Sequence, residues 1–204
     1  EAMKKHWRKN PRIQKFKDSL KLKNEDELQS WFIQQIDHYL VSKGRKLMGW
    51  DEILEGGLAQ NAAVMSWQGE KGGIEAAKMK HYVVKSPGTH CYFDHYQHEP
   101  KSEEPLAIGG LTTLEKVYSY DPQPAVLTAD EKKYIMGAQG NVWTEYIQTF
   151  SQVQYMVLPR MAALSEVVWT EVPAKNYPGF KQRLQPLSAL YGAQGWNWCR
   201  KEMP

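Results

Sequence analysis

The sequence predicts an α/β fold, a parallel sheet covered by helices on both faces. Three observations carry this. Short apolar runs alternate with polar loops and helical periods along the chain, and strands buried on both faces of a parallel sheet read as such continuous runs. Glycine pairs at 56–57, 72–73 and 109–110 never extend into G-x-G-x-x-G, so the phosphate loop of a nucleotide-binding sheet is absent. Each strand also ends in a polar or aromatic cluster, which is where a (β/α)8 barrel carries its site. Four such units fit half a barrel or a small doubly wound sheet, and the last two observations favour the barrel piece.

The clearest helix runs from Asn24 to Lys43. Leu28, Trp31, Phe32, Ile36, Tyr39 and Leu40 follow a 3.6-residue period and predict its buried face. Asn24 with Glu27 resembles a capping box, and Gly44 stops the helix. Strands are expected at Lys46 to Trp50 (KLMGW), Ala63 to Trp67 (AVMSW), Tyr82 to Ser86 (YVVKS) and Tyr134 to Val142 (YIMGAQGNV). A helix over Gly72 to Lys80 joins the second and third strands, and a long loop rich in Pro, His and acidic residues precedes the fourth. The last long helix is expected over Ser151 to Trp169, kinked at Pro159. Trp196 and Trp198 read as packing near the C-terminus.

Composition narrows the function classes. In 204 residues, 42% hydrophobic and 24% charged side chains with a net charge of +3 describe a globular protein. Basic residues cluster only at the start (Lys4, Lys5, Arg8, Lys9, Arg12, Lys15, Lys17, Lys21, Lys23). Without an aromatic stacking platform they read as a solvated surface rather than a nucleic-acid patch. No stretch approaches the roughly 18 apolar residues of a membrane span. Cys91 and Cys199, two cysteines far apart, give no disulfide framework and leave the redox compartment open. Eight tryptophans and eleven tyrosines are a heavy aromatic load. Aromatic faces fill cores and also stack on the C–H faces of sugars.

The strand ends hold the candidate chemistry. They read Gly49-Trp50-Asp51-Glu52, Ser66-Trp67-Gln68-Gly69, Cys91-Tyr92-Phe93-Asp94-His95-Tyr96-Gln97 and Asn141-Val142-Trp143-Thr144-Glu145. In extended backbone, residues i and i+2 point the same way. Tyr92 with Asp94, and Trp143 with Glu145, then each set an aromatic surface beside a hydrogen-bond acceptor, which suits a sugar. The alternative, that the tryptophans plug a barrel mouth, stays open on spacing alone. Asp51-Glu52 looks like a catalytic acid pair, but neighbours on an extended chain face apart, so the two are expected to support the strand end. His90, Cys91, Asp94, His95 and His98 include the ligand-like His95-x-x-His98, yet no second spaced cluster exists, and the expectation is no metal.

GWDEILEGGLA, VMSWQGEKGG, YFDHYQ, AIGGLTTLEKVYSYDP, GAQGNVWTEYI and YMVLPRMAALSEVVW, in this order, resemble the family-20 glycoside hydrolases, the β-N-acetylhexosaminidases. The resemblance covers almost all of the chain. It implies the C-terminal half of a (β/α)8 catalytic barrel, about strands 5 to 8, over residues 1–204. In that family a His-x-Gly-Gly-Asp-Glu motif ends the fourth strand, and Glu1-Ala-Met-Lys-Lys-His-Trp looks like its continuation. Glu1 is then the general acid, while the Asp and His of the motif and a sugar-binding arginine are expected upstream. Tyr92 binds the acetamido oxygen, Trp50, Trp67 and Trp143 wall the methyl pocket, and Asp94 and Glu145 hold sugar hydroxyls, around O6 and O4 respectively.

The implied activity is removal of terminal non-reducing N-acetyl-β-hexosamine. It is a retaining reaction in which the substrate's own acetamido oxygen forms an oxazolinium, an exception to the two-carboxylate scheme. No cofactor is needed. Partners are N-acetylhexosamine-containing glycans, with no nucleic acid and no membrane span. Export to the periplasm, cell exterior or lysosome is implied. A further expectation is that the half-barrel is completed by an N-terminal half or a second copy; the alternative is a fragment or sugar-binding half-barrel that turns nothing over.

Overall fold

The structure is a computed structural model and describes residues 3–201. In chain order its elements begin α1 (Lys4–Lys9), α2 (Pro11–Ser19), α3 (Glu25–Ser42), β1 (Met48–Trp50), β2 (Ala63–Ser66), α4 (Lys71–Lys78) and β3 (Val83–Lys85). They continue with α5 (Gly88–Cys91), α6 (Leu114–Tyr118), α7 (Ala129–Lys132), β4 (Ile135–Ala138), α8 (Phe150–Val157), α9 (Arg160–Trp169) and α10 (Tyr177–Ala193). Two compact units divide the chain. One holds the residues up to Lys85 with Ala125–Met136, the other Ser86–Pro124 with the residues from Gly137 onward.

The sheet has the order β1-β2-β3-β4 and is built in the first unit, which β4 enters through Ile135 and Met136. Parallel pairing sets Met48, Gly49 and Trp50 beside Ala63, Val64 and Met65. It then sets Val64, Met65 and Ser66 beside Val83, Val84 and Lys85, and the Val83 N–H donates to the Tyr134 carbonyl at 2.8 Å. Val64 and Val83, both fully buried, form one core cluster with Ile53, Ala76, Ala77, Leu127 and Ile135. Ala76 and Ala77 are small enough for α4 to lie close on the strands. Lys85 is also fully buried, and it is paired: its Nζ lies 2.7 Å from Glu70 Oε2. Without that partner a buried ammonium would be strongly destabilising.

Helix α3 starts and stops for the expected reasons. The Asn24 side chain accepts from the Glu27 N–H at 2.9 Å, while the Glu27 carboxylate reaches back to the N–H of Lys23 at 2.8 Å. At the other end Gly44, at φ +66°, donates to the Val41 carbonyl, and Arg45 donates to that of Leu40. This is a Schellman ending that favours glycine. Only part of the face expected to be buried is, with Trp31 and Leu40 half-buried. Leu28 is buried, but Phe32 is 54% and Tyr39 61% exposed. The helix turns its polar neighbours inward because loop carbonyls there need donors. Gln29 Nε2 donates to Glu52 O at 2.8 Å and Ser30 Oγ to Gly57 O at 2.6 Å.

The core of the second unit joins Cys91, Phe93, Leu114, Val117 and Tyr118 to Ala163, Leu164 and Val167 of α9 and to Phe180 and Leu184 of α10. Residues 151–169 form two helices, not one kinked helix. Leu158 between them is extended (φ −99°, ψ 132°), as the residue before a proline tends to be. Helix α10 was not anticipated, because Pro186 lies inside it and interrupts the helical signature. Trp196 and Trp198 pack on Tyr191 of α10, at ring separations of 5.7 and 5.9 Å.

Candidate active site

In the second unit one backbone bridge organises the site. Tyr92 and Asn141 pair in parallel. The Phe93 N–H donates to Asn141 O and the Asn141 N–H to Cys91 O, both at 2.7 Å. The buried Asn141 side chain is fixed in turn, donating to Ser86 Oγ at 2.5 Å and accepting from Gln139 Nε2 at 2.8 Å. Beyond the bridge, Tyr92, Asp94, Trp143 and Glu145 line one cavity of about 440 Å³ with His95, Ile108, Gly109 and Gly110. Past the bridge the chain turns, and Phe93 is buried in the core between the two cavity residues Tyr92 and Asp94.

The chemistry of this cavity is uneven. Asp94 is only 4% exposed, and its Oδ1 has no hydrogen-bond partner among the described residues. Burial pushes its carboxyl above the ordinary range; Glu145 adds to this, and the Arg160 cation opposes it. The His95 ring lies 5.5 Å from the Tyr92 ring and tilted 43° to it, and its Nδ1 lies 3.0 Å from Thr112 Oγ1. Burial, then Arg160 and Lys101, push this imidazole below its usual value and favour the neutral ring. Gly110, at φ +64°, is packed so closely that a Cβ there would meet His95 Cγ at 2.5 Å. The lining combines aromatic and apolar groups with two carboxylate acceptors, the mixture a small polar ligand needs.

Trp50 and Trp67 belong to the first unit, both half-buried. Trp50 closes β1, and Trp67 directly follows β2. The Trp67 indole N–H points at the Glu52 carboxylate, 3.1 and 3.2 Å from its two oxygens, and Gln68 Nε2 donates to the same group at 2.7 Å. Asp51 Oδ2 accepts from Ser66 Oγ and from the Gln68 N–H, each at 3.4 Å. Burial raises the Asp51 carboxyl. Both acids thus hold the chain around Trp67. They sit in a short 3-10 turn, Asp51–Leu54, rather than on extended backbone, so the expectation that they face apart because the chain is extended is corrected.

The sequence model described as glycosyl hydrolase family 20, catalytic domain, matches residues 1–172. The chain belongs to this family. It is 45% identical over 199 residues to a β-hexosaminidase of Porphyromonas gingivalis, covering 97% of this chain and 26% of that protein. Among solved structures, the family-20 exo-β-N-acetylglucosaminidase of Vibrio harveyi, in complex with N-acetylglucosamine, superposes with a TM-score of 0.82 at 29% identity. That match covers 95% of this chain and 30% of that one. The Flavobacterium johnsoniae chitobiase gives 0.77 at 31% identity, over 94% of this chain and 28% of that one. The chain therefore spans between a quarter and a third of the length of these relatives. The fold class read from the sequence stands. The neighbours are (β/α)8-barrel enzymes, and this chain matches them as a partial barrel on a four-stranded sheet.

Several residues remain to be placed against the family-20 expectations. Glu1 lies outside the described residues. His90 stacks on Tyr120 at 5.0 Å, and Cys91 and Cys199 are both buried and form no disulfide among the described residues. Among the described residues no three His, Cys, Asp or Glu side chains stand close enough together to hold a metal ion. No helix there is long and apolar enough to cross a membrane. Sequence reasoning missed Arg160, fully buried at the start of α9. A lone arginine after proline in the apolar run YMVLPRMAAL was the available signal.

Proposed function

We propose that the protein carrying this chain is a β-N-acetylhexosaminidase that releases terminal N-acetyl-β-hexosamine from the non-reducing ends of glycans, and that residues 1–204 form part of one catalytic domain. One observation carries the reading. Tyr92, Asp94, Trp143 and Glu145, two pairs far apart in sequence, line a single cavity of about 440 Å³. The family's catalytic-domain match and the hydrolase names of the relatives favour turnover over a site that only binds.

In this reading the reaction retains anomeric configuration and proceeds through an oxazolinium formed by the substrate's acetamido oxygen. Glu1 protonates the leaving oxygen. The Tyr92 hydroxyl binds the acetamido oxygen as it closes the five-membered ring, and its donor is worth most in the transition state. Trp50, Trp67 and Trp143 wall the acetamido methyl group. Asp94 and Glu145 accept from sugar hydroxyls around O6 and O4. Burial keeps water from competing for Asp94, while the open Glu145 completes the polar rim. Following hydrolysis of an aryl N-acetyl-β-glucosaminide by NMR tests this. The β-anomer of N-acetylglucosamine should appear first, and α-anomer first, or no turnover, would overturn it.

A further inference from the structure

Arg160 is the largest fully buried side chain among the described residues, and all five of its N–H groups are used. Nε donates to Met156 O at 3.1 Å, and Nη2 to the same carbonyl. Nη2 also donates to Phe93 O at 2.6 Å, and Nη1 to His95 O at 3.1 Å and Thr112 O at 2.9 Å. The guanidinium stacks 5.0 Å over the Phe93 ring. The carbonyls of Phe93 and His95 belong to the residues on either side of Asp94, and Thr112 follows the glycine pair that lines the cavity. One rigid fork therefore ties α9 to the cavity floor.

The charge matters as well as the donors. Among the described residues Arg160 makes no ion pair within 4 Å, so main-chain carbonyls and the Phe93 ring are its close partners, with Asp94 and Glu104 among the charges farther off. Removing a cation from water without a partner is expensive, and neutral donors could serve carbonyls alone. Asp94 is the buried carboxylate of the cavity wall, with an unpartnered oxygen and the Glu145 charge nearby. A cation behind its backbone offsets both burdens. Arginine suits this place better than lysine because its planar fork reaches carbonyls of three segments at once.

We propose that Arg160 is a positioning residue for substrate binding: by clamping the peptide on both sides of Asp94 and placing a buried positive charge behind it, it keeps that carboxylate aimed at a sugar hydroxyl. The inference rests on the reading of Asp94 as a hydroxyl acceptor. It assigns Arg160 no contact with substrate.

A double-mutant cycle in the enzyme carrying this chain separates the two ideas. Arg160→Lys should lower kcat/KM on an aryl N-acetyl-β-glucosaminide by about tenfold or more, through KM more than kcat. In an Asp94→Asn background the same change should cost no more than about twofold. An analogue lacking the hydroxyl that Asp94 holds should be similarly insensitive to Arg160→Lys. Equal losses in both backgrounds would make Arg160 a merely structural residue and overturn the inference. An Asp94→Asn variant with unchanged kcat/KM would instead sink the reading of Asp94 itself. Should Arg160→Lys fail to fold, the unaltered protein still decides. The ¹⁵N resonance of Arg160 Nε should move when N-acetylglucosamine binds, and stay still in Asp94→Asn. No movement in the unaltered protein, or the same movement in both, would overturn it.

Discussion

Tyr92 and Asn141 form a parallel bridge whose flanking main-chain bonds are both 2.7 Å long. The bridge brings two segments some fifty residues apart in sequence to one cavity, each delivering an aromatic and a carboxylate. Removing the Tyr92 hydroxyl leaves this backbone pairing intact. Tyr92→Phe should therefore lower kcat by about 100-fold, the scale for one lost donor to a developing charge, with KM changed little. Steady-state kinetics on an aryl glycoside reads this, and an unchanged kcat would remove Tyr92 from the chemistry.

Glu1 is tested through leaving groups. Glu1→Gln should abolish turnover of glycans with poor leaving groups and spare activated aryl glycosides, which need little proton assistance. Equal loss on both substrate types would contradict the general-acid role.

The buried carboxylate makes a prediction with a definite sign. Asp94 has a folded-state pKa raised by burial, with Glu145 adding to it. Between the unfolded value, about 3.9, and that raised value, the folded state holds a proton the unfolded state has lost, so stability falls as pH rises through this window. Asp94→Asn should raise Tm at pH 7 and lose that gain as the pH falls below the unfolded value, while substrate binding weakens. A Tm lowered at pH 7 would show that ionised Asp94 is stabilising.

Much of this was readable in the residues, and the failures have physical causes. Asn24 and Gly44 bound α3 because caps act locally, through hydrogen bonds to main chain three or four residues away. The four strands are apolar runs that any parallel sheet requires. The outward face of α3 was misjudged because periodicity reports amphipathicity and not which loop carbonyls need Gln29 and Ser30. Arg160 was missed for a related reason. Its five bonds go to four carbonyls, three of them 48 to 67 residues away and none with a sequence signal of its own. Tyr92 with Asp94, and Trp143 with Glu145, do line one cavity, although the chain turns at Phe93, Asp94 and Glu145 instead of continuing the extended backbone from which the pairs were read.

Glu52 should prove a support for Trp67. Its carboxylate receives both the Trp67 indole N–H and the Gln68 amide. Glu52→Ala frees the ring, and KM for aryl N-acetyl-β-glucosaminides should rise several-fold with a smaller change in kcat, as expected for lost ground-state contacts. An unaltered KM would place Trp67 outside the substrate's reach.

The most direct test is a crystal structure of the protein carrying this chain with N-acetylglucosamine bound. The expected result has the acetamido oxygen within hydrogen-bonding distance of the Tyr92 hydroxyl, the methyl group between Trp50, Trp67 and Trp143, and sugar hydroxyls on Asp94 and Glu145. A sugar bound elsewhere, or a tryptophan of this set turned into the helical layer, would contradict it.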